Sequence, residues 1–234
     1  MNANSQRTSV ILPVRNGVRF VRDAIGSALS QLAPNDEIVV VDDASTDATR
    51  SVIADMREPR VRVVDGLGRG VSSARNIGLA AATGEFIAFL DHDDLWPSSR
   101  HARLLEALLA NDEIDCVVGR LRLRMEQDAI SLPQLADMDG RLAANLSLCT
   151  ALFRRRILDL VGGFDEDMRF CEDSDYFMRL TERNYHVVLC DIDALIYRRH
   201  STNATCDVAG AEDGVMQLIR RRRKRMSQRR AGDR

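Results

Sequence analysis

The sequence predicts an α/β fold built on an open, mostly parallel sheet with helices on both faces. Three observations carry that prediction. Short apolar and β-branched runs at 9–12, 38–41 and 86–90 show no polar alternation, as strands buried on both faces require. Segments with apolar residues at helical spacing separate them. Acidic residues crowd the carboxyl ends of two of the runs, where open parallel sheets hold ligands.

Residues 8–13 form the first expected strand, ended by Pro13, and 14–17 the turn after it. The spacing of Phe20, Val21, Ala24, Ile25, Ala28 and Leu29 predicts a helix over 18–32, stopped near Pro34. The second strand covers 36–41, with Asp42 and Asp43 at its end. Asp47 reads as the N-cap of a helix over 48–56. A short strand at 61–64 leads to Gly66-Leu67-Gly68-Arg69-Gly70, a surface loop without the spacing of a dinucleotide fingerprint. A helix over 72–82 carries Arg75 and Asn76. The strand at 85–90 then delivers Asp91-His92-Asp93-Asp94.

Beyond Trp96-Pro97, a helix is expected over 98–110 and a strand over 115–118, continuing through 120–124. Residues 126–146 are polar and irregular. A strand at 147–153 and a helix at 154–161, stopped by Gly162-Gly163, follow. Glu172 and Asp173 then precede a helix over 176–183, with Asp175 as its cap. Strands at 186–189 and 193–197 lead to Arg198 and Arg199, of which a strand's alternation turns at most one inward. A short helix over 214–219 and a basic run close the chain. No repeat or linker interrupts it, so one domain over 1–214 and a basic tail over 215–234 are expected.

At 45% hydrophobic and 29% charged residues, the 234-residue chain has the composition of a soluble globular protein. No apolar run is long enough to cross a bilayer and the start lacks a signal-peptide core, which implies a cytoplasmic chain. The five cysteines form no CxxC pair, which argues for free thiols and against a zinc site. The net charge of −2 hides an asymmetry: residues 216–234 carry nine Lys/Arg against one acid, leaving the body at −10. Two readings of the tail stay open, a solvated and partly disordered segment or peripheral contact with anionic lipid at the inner membrane face. Nucleic acid is excluded as a partner, because the acidic body would repel it.

Asp91, Asp93 and Asp94 place three carboxylates within four residues, and such groups repel one another unless a cation lies between them. A hard divalent ion shared with substrate phosphates answers that need, and a solvated acidic turn is the other reading. Asp42 and Asp43, at a second strand end, face the same cleft in such a sheet.

Six segments in order then resemble the motifs of the family 2 glycosyltransferases, which have the GT-A fold. They are SVILPVRNG at 9–17, IVVVDDASTDAT at 38–49, GVSSARNIGLAAATGEFIAFLDHDDLWP at 70–97, LFRRRILDLVGGFDED at 152–167, CEDSDYFMRL at 171–180 and YRRH at 197–200. The resemblance covers roughly 8–203. It implies a Rossmann-like nucleotide-sugar-binding part over about 8–97 and a smaller acceptor-side part over about 98–205. The implied activity is inverting transfer of a sugar from a nucleotide-diphosphate donor, a UDP-sugar by family habit. The acceptor stays open among saccharides, lipid-linked sugars and other small molecules.

By the same resemblance, Asp91 and Asp93 are the DxD pair holding Mg²⁺ or Mn²⁺ on the donor diphosphate. Asp94 lies behind the metal or against the sugar, and His92 is exposed. Asp42 and Asp43 hold the base or ribose, with turn capping as the alternative. Pro13 and Asn16 touch the nucleoside. Arg75 sits beside the diphosphate, or else pairs with Asp42 or Asp43. His200 reaches the metal or diphosphate, or else is a surface histidine. Asp173 is the catalytic base and Glu172 its neighbour, with the reverse assignment open. Processive synthases of the family carry membrane helices and a QxxRW motif; neither occurs here, so one sugar per encounter is expected. Two other functions compete with this one. A sugar-phosphate nucleotidyltransferase needs a Gly-rich loop and a basic residue after the first strand, which 14–17 does not supply. A silent nucleotide-sugar-binding module would not need its acidic motifs intact.

Overall fold

The computed structural model describes residues 6–129, 142–143 and 147–232; the rest of the irregular segment expected at 126–146 lies outside the described residues. Strands β1 (Thr8–Val14), β2 (Glu37–Asp42), β3 (Val61–Asp65) and β4 (Phe86–Phe89) are parallel, in the order β3-β2-β1-β4. Helices α1 (Val21–Leu29), α2 (Thr49–Ala54) and α3 (Val71–Ala81) make the crossovers. The sheet then turns antiparallel. After α4 (Arg100–Leu109) come β5 (Cys116–Met125), β6 (Leu142–Ala143) and β7 (Ala151–Arg154). β7 joins β4 to β5, β6 pairs with β5, and β8 (Val187–Arg199) runs parallel along the other edge of β5.

Val10, Ile11, Leu12, Ile38 to Val41 and Phe86 to Leu90 are all 0% exposed, as unalternating runs demand. α3 lies so close to β1 that a Cβ on Gly78 would meet Ile11 Cγ2 at 2.4 Å, which explains a glycine inside that helix. Val14 pairs with Asp42, and Leu90 N–H donates to Ile11 C=O at 3.0 Å. The ends of β1, β2 and β4, with their acidic residues, therefore open on one edge.

Several boundaries differ from the sequence expectation. The strands expected at 186–189 and 193–197 are one strand, β8, whose irregular register against β5 absorbs the polar stretch between them. Residues 148–150 form a 3₁₀ turn rather than strand. α5 spans Arg155–Val161 and α6 spans Glu172–Glu182, so α6 starts four residues before the expected 176. Asp175 is consequently inside the helix and is not its cap. It is buried, and its two oxygens accept from Arg179 Nε at 2.9 Å and Arg225 Nη1 at 2.7 Å.

Arg225 belongs to α7 (Val208–Gly232), a 25-residue helix where the sequence suggested a six-residue one and a solvated tail. α7 docks on the body through buried Gly214 and Leu218, through Arg221 on Asp165, and through Arg225 Nε on Glu182 at 3.0 Å. Among the described residues no helix is long and apolar enough to cross a membrane. Asp175→Ala leaves Arg179 and Arg225 without their shared carboxylate and is expected to cost about 3 kcal/mol in urea unfolding. A loss under about 1 kcal/mol would show that α7 docks without this pair.

Candidate active site

The turn after β4 is built from opposed charges. Asp93 is half-buried, and its Oδ2 lies 3.1 Å from His200 Nε2 and 3.2 Å from Asn203 Nδ2. Thr202 N–H donates to His200 Nδ1 at 3.3 Å, and Asn203 Nδ2 lies 3.0 Å from His200 Nε2. Burial is the largest influence and works against the charge of Asp93, but the His200 bond and the charges of His92 and His200 together hold the carboxyl below its ordinary range. Asp94 is 1% exposed and turned away from solvent; its Oδ1 accepts from Arg198 N–H at 2.9 Å. Burial, then the neighbouring Asp93 and Asp91, push its pKa well above normal. Asp94 thus holds β8 to the acidic turn from behind.

Arg75, on α3, joins this turn to α6. It is 2% exposed, and its Nη2 donates to Asp91 Oδ1 at 3.0 Å. Its Nη1 is shared by Glu172 Oε1 at 2.8 Å and Asp173 Oδ1 at 3.0 Å. Desolvation opposes this cation, and the charges of Asp173, Asp91 and Glu172 more than restore it. The alternative reading of Arg75, an ion pair with Asp42 or Asp43, does not form; Asp91, Glu172 and Asp173 take that place. Asp173 is oriented further by Leu148 N–H at 3.0 Å and Ser147 Oγ at 3.4 Å, both reaching its Oδ2.

At the neighbouring strand ends, the side chains bind the loops together. Asp42 accepts from Ser45 N–H at 3.1 Å and pairs with Arg50; desolvation raises its pKa, and these two partners lower it overall. Asp43 accepts from the N–H groups of Gly68 at 2.7 Å and Gly70 at 2.8 Å, so the glycine loop wraps a carboxylate of its own chain. Gly68 and Gly70 have φ of 69° and 97°, which this wrap requires. Asn16, also left-handed at φ 54°, accepts from Thr46 N–H at 2.8 Å and is exposed at the cleft. Pro13 is buried within β1, so only its backbone reaches the edge.

Residues 9–164 match the model of Glycosyl transferase family 2. The chain belongs to this family. The Bacillus subtilis glycosyltransferase EpsJ is 30% identical over 84% of this chain and 62% of its own length. The Rhizobium meliloti succinoglycan biosynthesis protein ExoO is 38% identical over 71% of this chain and 53% of its own. The chain thus spans between about half and three-fifths of these relatives. Among solved structures, Staphylococcus aureus TarS with UDP-GlcNAc aligns with a TM-score of 0.67 at 22% identity, over 86% of this chain and 61% of that one. A Pyrobaculum calidifontis mannosyltransferase with GDP-Man and Mn²⁺ aligns at 0.62 and 24% identity, over 82% and 56%. The fold is therefore GT-A.

Two features of this family 2 chain were not assigned from the sequence. Asn203 accepts from His200 N–H at 2.6 Å and donates to both Arg198 C=O and Asp93, closing the turn that aims His200. Its place three residues after a histidine at a strand end was the available signal. The Leu148 N–H that holds Asp173 is backbone and leaves no mark in composition. Arg198 and Arg199 are both buried, against the expectation of one inward. The guanidinium of Arg198 lies 4.7 Å from the Phe20 ring and donates to Asp93 C=O, so it braces the turn. Phe20 also stacks on His200 at 4.5 Å. His92 is half-buried, against Gly17.

No three His, Cys, Asp or Glu side chains among the described residues form a cage for an ion by themselves. The donor set nonetheless fits a shared ion. Asp93 Oδ2 and His200 Nε2, 3.1 Å apart, have the spacing of two ligands on one metal.

Burial is the main cause that lifts Glu172 to about 7; Arg75 opposes the shift and Asp173 adds to it. The folded chain thus holds this proton more tightly than the unfolded one. The stability it contributes is complete below about 4.5 and is lost as pH rises through about 7. Glu172→Gln should therefore gain in Tm over the parent between about pH 5 and about pH 8. A gap that stays constant over that range would show that folding does not perturb Glu172.

Proposed function

We propose that this chain is an inverting glycosyltransferase that moves a sugar from a nucleotide-diphosphate donor to a hydroxyl acceptor. The observation that carries this reading is the Arg75 bridge, which fixes Asp91 on one side and Glu172 with Asp173 on the other. A donor-side carboxylate and an acceptor-side carboxylate are thereby set in one frame. The UDP-GlcNAc complex of TarS supports a UDP-sugar donor. ExoO, named for succinoglycan biosynthesis, supports a saccharide acceptor, free or lipid-linked.

Asp91, Asp93 and His200 would hold Mg²⁺ or Mn²⁺ against the diphosphate, and the imidazole suits Mn²⁺ better. An ion there offsets the charge that grows on the leaving nucleoside diphosphate. Asp173 takes the acceptor's proton as the hydroxyl oxygen attacks the anomeric carbon and the bond to the diphosphate breaks. Arg75, Leu148 N–H and Ser147 hold that carboxylate still. Glu172 shares Arg75 Nη1 and fixes the guanidinium. Asn16 and the backbone at Pro13 line the nucleoside side, with Asp42 and Asp43 supporting the loops around it.

Thermal shifts with UDP, UDP-GlcNAc and GDP-Man, in Mn²⁺, Mg²⁺ or chelator, test the donor side. Metal-dependent stabilisation of about 2.7 kcal/mol is expected at a hundredfold excess over Kd. Asp93→Ala should abolish the metal-dependent part. On the acceptor side, Asp173→Asn should retain donor binding and lose about 10²-fold or more in turnover. Parental turnover by that variant would remove Asp173 as base, and shifts indifferent to chelator would remove the metal assignment.

A further inference from the structure

α7 has two faces. Gly214 and Leu218 are buried on the inner one, and Arg221 and Arg225 pair with acids of the body. On the outer face, Val215, Ile219 and Met226 follow at spacings of four and seven residues, which sets them in one stripe along the helix. Met216 lies beside them, and the four are 47%, 41%, 44% and 49% exposed in the order Val215, Ile219, Met226, Met216. Such a run of apolar side chains in water is unfavourable and marks a contact surface. Arg220, Arg222 and Arg223 are exposed beside the stripe, and Lys224 is exposed on the next face of the helix. Arg222 reaches Glu182 at 3.7 Å, while Arg220, Arg223 and Lys224 form no ion pair among the described residues. No Asp or Glu occurs between residues 214 and 232.

We propose that the outer face of α7 docks on an anionic lipid surface, lying in the plane of the interface. The choice follows from the two chemistries together. A second copy of this helix would bury the apolar stripe but set one unneutralised cationic row against another. A nucleic acid would neutralise the cations and leave the stripe in water. Anionic lipid meets both, with headgroups at the arginines and the acyl boundary at Val215, Ile219 and Met226. The cleft lined by Arg179, Glu182, Arg183, Arg225 and Gln228 is not part of this surface, since Arg179 and Arg225 already serve Asp175 and Glu182. The inference does not depend on which donor or acceptor the chain uses.

The test is co-sedimentation of the full chain with vesicles of phosphatidylcholine alone or mixed with phosphatidylglycerol. Binding to the anionic vesicles is expected to be at least about tenfold tighter and to weaken with added salt. The pair R223E/K224E should erase the preference for anionic vesicles. The pair I219D/M226D should weaken binding to them about tenfold even at low salt. Both variants change exposed side chains, and an unchanged Tm in each confirms that folding is intact. Equal partition to both vesicle types, or full binding by I219D/M226D, overturns the proposal. So does self-association of the parent that I219D/M226D abolishes in the absence of vesicles, or binding to RNA with none to lipid.

Discussion

One buried guanidinium holds the working edge of this fold together. Arg75 arrives on α3, which is pressed against β1, and meets Asp91 beyond β4 and Glu172 with Asp173 at the start of α6. Burying a lone cation so completely would be prohibitive, and three carboxylates make it tolerable. The dependence runs both ways. Without the cation, three acids converge on one partly dehydrated space, and their mutual repulsion would open α6 from the turn. The position of the proposed base is thus tied to the position of the proposed donor carboxylate by a single side chain.

The charge balance explains why that edge needs something more. Asp91, Glu172 and Asp173 share one Arg75, Asp93 meets His200 and Asn203, and Arg198 is spent on the Asp93 carbonyl and the Phe20 ring. Asp94 adds less to the excess, because burial, then the charges of Asp93 and Asp91, raise its pKa. A diphosphate brought to this edge would add negative charge to negative charge. A bound cation would reconcile the two, which is the physical case for the proposed divalent ion shared between protein and donor. The raised pKa of Glu172 belongs to the same excess: burial, with Asp173 adding to it, outweighs the opposing Arg75.

Most of the sheet was legible because its signal is local. Unbroken apolar runs such as 38–41 can only be strands covered on both faces, and Asp42, Asp91 and Asp93 fall at their ends because parallel strands share a direction. What sequence could not supply was partnership across long separations. Arg75 had candidate acids on three elements, and only the packing of α3 against α6 selects Asp91, Glu172 and Asp173 over Asp42 and Asp43. The start of α6 was misplaced because Glu172, Asp173 and Asp175 read as residues before a helix. They are its first turn, where backbone N–H groups and the helix dipole favour acids. α7 was underestimated for a related reason. Its run of arginines looks like a solvated tail until the acids of α6 and the 165–167 turn supply their partners.

α6 carries both halves of the molecule's chemistry. Its first turn holds Glu172 and Asp173 toward the cleft, and two residues on Asp175 turns into the body, where Arg179 and Arg225 meet it. One helical turn therefore joins the proposed base to the helix proposed to lie on lipid. A helix is stiff over that distance, so the orientation of α7 at a surface fixes the direction in which Asp173 faces. If the acceptor sits in that surface, this coupling would spare the chain a search over orientations, because docking and alignment of the base would be the same event.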